Sequence, residues 1–106
     1  MSSAQRPNGW QGMTALNGRD AVIIGAARTP FARLLGGLKD FSAATLGGHA
    51  IKAALERAGI DAQNVEAVVM GQAVQAGCGQ NPARQAALRV PGLPASTHAE
   101  SVNKVC

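Results

Sequence analysis

The sequence predicts an α/β domain in which strand, helix, strand, helix and strand succeed one another to build a parallel sheet. Three observations predict it. Residues 21–25 (Ala-Val-Ile-Ile-Gly) and 65–74 are continuous apolar runs of the kind found in parallel strands covered on both faces. Between them, residues 42–58 repeat their apolar positions every 3.6 residues. Asn81-Pro82 then opens a second helix, and a third strand follows at residues 97–105. Two successive crossovers of this kind place the strands parallel, with right-handed connections.

Taken in order, residues 1–20 carry Ser, Gln, Asn, Gly and Pro without periodicity and read as a disordered leader, with Trp10 its only large side chain. After the first apolar run, residues 26–39 form a loop broken by Pro30 and Gly36-Gly37. Ser42 is an N-cap for the first helix, which carries Leu46, Ala50, Ile51, Ala54, Leu55 and Ala58 on one face and ends at Gly59. His49, Lys52 and Glu56 share its solvated face, so His49 is an ordinary surface histidine. Gly47 and Gly48 each cost the helix about 1 kcal/mol relative to Ala. They make sense only where a sheet or another helix approaches closely. Residues 75–80 are a glycine-containing loop, and the second helix ends near Val90, ahead of Pro91-Gly92 and Pro94. Ala83 and Ala87 stack at i, i+4 and permit a second close approach. The third strand mixes polar and apolar residues, giving one buried and one less covered face.

Composition narrows the function classes. The 106 residues include 21 alanines and 13 glycines against two Phe, one Trp and no Tyr, so any core is made of small side chains. Small side chains bury little area each. Such a chain suits close backbone contacts within a larger assembly, and is expected to be unstable alone. The charge of +4 comes from dispersed basic residues without a run or stripe, which argues against a nucleic-acid reader. No stretch approaches the ~20 apolar residues that span a bilayer, and residues 1–18 show no apolar core of a signal peptide. Two cysteines without a secretion signal suggest reduced thiols and a cytoplasmic location.

Few residues carry chemistry. Paired carboxylates, metal-spaced His/Cys sets and a phosphate-binding glycine loop are all missing from the sequence. Residues 22–27 look like the start of a dinucleotide fold, but no G-x-G-x-x-G follows. Cys106 stands just past the third strand, and reactive groups gather outside the carboxyl ends of strands in open α/β sheets. From position alone it is either a nucleophile or a buried structural thiol. An ordinary thiol is only about 3% thiolate at pH 7, so a nucleophile there needs a helix N-terminus or a histidine to favour the anion.

Four blocks, in order, resemble the thiolase family. The first is Arg28-Thr29-Pro30-Phe31 with Gly36-Gly37-Leu38-Lys39. The second is Ala53-Ala54-Leu55-Glu56-Arg57-Ala58-Gly59. The third is Met70-Gly71-Gln72 followed by residues 75–88 (QAGCGQNPARQAAL), and the fourth is Val102-Asn103-Lys104-Val105-Cys106. The resemblance covers residue 21 to the end and leaves residues 1–20 outside.

It implies a thiolase-like fold, with residues 21–106 forming the first β-α-β-α-β part of the family's N-terminal domain up to its nucleophilic cysteine. It also implies an acetyl-CoA C-acyltransferase of fatty acid metabolism. Cys106 would take an acyl group from acetyl-CoA or a 3-ketoacyl-CoA as a thioester, which a deprotonated second acetyl-CoA attacks. Coenzyme A thioesters would be substrates, with no tightly bound cofactor and no metal. The remainder of a thiolase chain would supply the Gly-rich segment after the cysteine, the CoA-binding loop domain, the Asn and His that serve the thioester, and a second, acid/base cysteine. A polypeptide ending at Cys106 is therefore expected to be inactive. Cys78 sits at a position that looks variable in the family and is read as a packing residue. Partner subunits are expected in a dimer or homotetramer, with residues 75–88 and Arg84 at or beside the interface. Two alternatives stand beside this reading: another condensing enzyme of the superfamily, such as a ketoacyl synthase, and a non-catalytic subunit-interface fragment.

Overall fold

The computed structural model describes residues 18–105. Helix α1 spans Ala43–Ala58, a short 3-10 turn Ala62–Asn64, strand β1 Ala67–Gln72, helix α2 Pro82–Leu88 and strand β2 His98–Asn103. The two strands pair in parallel, from Ala67 opposite His98 to Gln72 opposite Asn103. Parallel neighbours need a crossover, and α2 provides it. The α/β class and the parallel pairing read from the sequence are both present.

Local chemistry explains α1. Ser42 Oγ accepts the amide of Thr45 at 3.1 Å, satisfying one orphan donor of the first turn. At the other end Gly59 takes φ of 69° and returns its N–H to the carbonyls of Glu56 and Leu55. Lys52 and Glu56 pair across one turn at 3.6 Å on the solvated face, and His49 is exposed beside them.

The core lies where α1 and α2 meet β1. Val68, Ala83, Ala87, Val90 and Leu93 are buried together, with Ile51, Leu55, Ala62, Val65, Met70 and Ala99 packed around them. Ala83, Ala86 and Ala87 are wholly shielded, so one side of α2 is fully covered while Leu88 on the other is 58% exposed. Only alanine fits there, and the glycines of α1 complete the approach. A Cβ on Gly48 would stand 3.0 Å from Arg89 Cβ and 3.3 Å from the Ala86 carbonyl oxygen. On Gly47 it would stand 2.6 Å from Met70 Cε, the free end of a flexible side chain. The close packing predicted for this pair is thus with α2 and with a residue of β1.

The first predicted strand does not form. Residues 21–25 run without ladder bonds, and Ile23 is 93% exposed. They are held instead against α1: a Cβ on Gly25 would meet Ala58 Cβ at 2.8 Å, and Arg57 donates to the Ala26 carbonyl at 3.0 Å. A groove of about 530 Å³ separates this segment from β1. The physical reason is cover. A continuous apolar run is pinned into a sheet when both faces are packed, and here both helices lie on one face. For the same reason Val68 is buried while Val69, on the other face of β1, is 63% exposed. The other elements differ only at their ends: β1 occupies the middle of 65–74, β2 the middle of 97–105, and α2 stops at Leu88 with Arg89 as its cap. The leader through residue 17, including Trp10, lies outside the described residues.

Two substitutions test the helix contact. In a full-length protein carrying this segment, Gly48→Val should lower stability by about 1–3 kcal/mol through overpacking against α2. Gly47→Ala should cost less than Gly48→Val, because Met70 Cε can swing away, Ala favours the helix, and only Ala86 Cβ, 3.2 Å from the added methyl, must give by a few tenths of an ångström. Urea denaturation measures both, and equal losses would contradict the account.

Candidate functional site

The site is the carboxyl end of the parallel pair. Both strands point there, so the loop leaving β1 and the chain leaving β2 meet at one edge. The loop, residues 73–80, turns through Gly77 and Gly79, whose φ values of 82° and 78° suit glycine. Gln85 holds it from α2, donating Nε2 to the carbonyls of Cys78 and Gln80, both at 2.8 Å.

Asn81 fastens the start of α2 to β2. Its Oδ1 accepts the Arg84 amide at 3.2 Å, an N-cap bond, and the Ser101 hydroxyl at 2.9 Å. Its Nδ2 donates to the Ala99 carbonyl at 3.1 Å. Ser101 Oγ in turn accepts the Ala83 amide at 3.0 Å. Two orphan amides of the helix are thereby satisfied by side chains that also reach the strand. Asn81 itself sits at φ of 37°, in the left-handed region that Asn tolerates better than most residues. At the opposite end of the sheet, the buried Thr97 hydroxyl donates to the Val65 carbonyl at 3.1 Å and aligns the strand starts.

The predicted site residues divide clearly. Cys106 lies outside the described residues, which end one position before it at Val105. Cys78 is a half-buried free thiol. Its sulfur accepts from Gln72 Nε2 at 3.2 Å and approaches the Val74 carbonyl at 3.9 Å. Neither partner is a base that could activate it, which agrees with a packing role. Arg84 donates Nη1 to the Ala95 carbonyl at 2.9 Å within the same chain. Sequence reasoning missed Gln85, Ser101 and Asn103 as organisers of this end; polar residues near strand ends were the only signal available. Among the described residues no cluster of three His, Cys, Asp or Glu could hold a metal ion. No helix among them is long and apolar enough to cross a membrane.

The family model for the thiolase N-terminal domain matches residues 21–106. The chain belongs to the thiolase family. It is 53% identical over 87 residues to an acetyl-CoA acetyltransferase of Cupriavidus necator, covering 82% of this chain and 22% of that one. It is 52% identical over 87 residues to a mitochondrial acetyl-CoA acetyltransferase of Xenopus laevis, covering 82% of this chain and 20% of the relative. A thiolase of Ascaris suum solved in complex with coenzyme A superposes with a TM-score of 0.73 at 34% identity, over 77% of this chain and 21% of that structure. The chain thus spans about a fifth of the length of the relatives it matches. Its α/β architecture is that of the thiolase fold, and the match favours thiolase over the other condensing enzymes.

Proposed function

We propose that this thiolase segment carries the nucleophile of an acetyl-CoA C-acyltransferase, and that the nucleophile is Cys106. The single observation that supports it most is topological: β2 ends at the same edge as the loop leaving β1, and Cys106 follows three residues later. The relatives named for acetyl-CoA, and the neighbour bound to coenzyme A, support acyl-CoA as the substrate class.

The chemistry follows from the thiol. Cys106 Sγ, as thiolate, attacks the thioester carbonyl of acetyl-CoA; its S–C bond forms, the bond to coenzyme A breaks, and coenzyme A leaves as its thiol after gaining a proton. A second acetyl-CoA then loses an α-proton to a base supplied by the remainder of the protein. Its α-carbon attacks the Cys106 thioester, forming a carbon–carbon bond and releasing the thiolate with acetoacetyl-CoA. Thiolysis of a 3-ketoacyl-CoA is the reverse. A role in fatty acid metabolism, a cytoplasmic location and a homo-oligomer, dimer or tetramer, with residues 75–88 at or beside the interface, belong to the same reading.

Incubation of the full-length protein with acetyl-CoA should place acetyl on Cys106, read by peptide mass spectrometry. Cys106→Ser should lose the thioester, whereas Cys78→Ser should keep it; acetyl on Cys78 and none on Cys106 would overturn the assignment. Arg84 keeps donors beyond the one used on Ala95, and a guanidinium presents five in a rigid fork. Arg84→Ala should therefore shift sedimentation at nanomolar concentration towards smaller species, and an unchanged distribution would count against the interface.

A further inference from the structure

Asn103 ends β2, and its side chain works in two directions. Its Nδ2 donates to Gln75 Oε1 at 3.2 Å, reaching across to the loop that leaves β1. Its Oδ1 accepts the backbone N–H of Val105 at 3.0 Å, closing a turn over Lys104. Val105 stands at φ of 48°, a left-handed conformation that a β-branched residue seldom takes. The bond to Asn103 fixes the Val105 amide, and with it the turn over Lys104 that leads into this residue. The fold does not depend on this bond. The ladder ends at the Gln72–Asn103 pair, and Asn81 and Ser101 already fasten α2 to β2. What the bond does fix is the path by which the chain enters Val105, the residue before Cys106.

We infer that Asn103 is a positioning residue for the nucleophile: it fixes the turn over Lys104, one residue ahead of Cys106, and references that turn to the β1 loop through Gln75. The inference rests on the reading of Cys106 as the acylated residue. Four full-length proteins test it: the parent, Asn103→Ala, Asn103→Asp and Gln75→Ala. The readouts are the rapid-quench rate of acetyl transfer to Cys106, KM for acetyl-CoA and the thermal midpoint. Asn103→Ala loses both bonds and should acylate about tenfold more slowly, the size expected where the bond to Val105 is the one that bears on the nucleophile, with KM little changed. Asn103→Asp keeps the oxygen that accepts from Val105 and should recover most of that rate. Gln75→Ala should slow transfer by a smaller factor. Asn103→Ala at the parent's rate, or Asn103→Asp no faster than Asn103→Ala, would overturn the inference while leaving the nucleophile in place. Should Asn103→Ala fail to fold, the remaining pair decides: a slow Asn103→Asp beside a Gln75→Ala at the parent's rate would overturn it. A parent acetylated elsewhere than Cys106 would remove the nucleophile reading and this inference with it.

Discussion

Asn81 carries the constraint on which this architecture depends. A parallel pair of strands cannot be closed by a tight turn, so its register depends on how the crossover is anchored. Here the crossover helix is seven residues long, too short to be stable by itself. One amide side chain ties its first turn to the Ala99 carbonyl and the Ser101 hydroxyl on β2. Once α2 is fixed in that place, its alanines set how near α1 can come, and Gly47 and Gly48 let it arrive. The small-residue composition is therefore not a weak core by default. It is what two helix backbones in close contact require.

The same anchoring bears on the chemistry. Residues 73–80, the start of α2 and the end of β2 are joined by the side chains of Gln85, Asn81, Ser101, Gln75 and Asn103. The edge that leads to the proposed nucleophile is thus cross-braced before any substrate arrives, and holding a reacting group in place removes part of the entropic barrier of its reaction. The opposite face of the sheet, with Val69 63% exposed, and residues 22–24 remain open. Both are apolar surfaces that the sequence had marked for burial.

What could be read from the sequence was what local chemistry encodes. Ser42, Gly59 and the Asn81-Pro82 pair announce helix ends within one turn, and the structure uses each of them. The glycine pair announced a close contact but not its partners, because Met70 and α2 lie about twenty to forty residues away. Residues 21–25 were misread for a related reason: an apolar run encodes a need for cover, not whether the neighbours supply it. Cys106 was singled out by resemblance, since a cysteine after a strand is ambiguous on its own. The roles of Ser101, Gln85 and Asn103 were not legible, because a polar side chain near a strand end gives no sign of the carbonyl or amide it will meet.

A double-mutant cycle on Asn81 and Ser101 tests the central constraint most directly. In the full-length protein, urea denaturation of Asn81→Ala, Ser101→Ala and the double variant yields the coupling between the two side chains. A favourable coupling of about 1–2 kcal/mol is expected, since the residues share one hydrogen-bond network. Additive losses, with coupling near zero, would show that α2 is held in register by something other than this clamp.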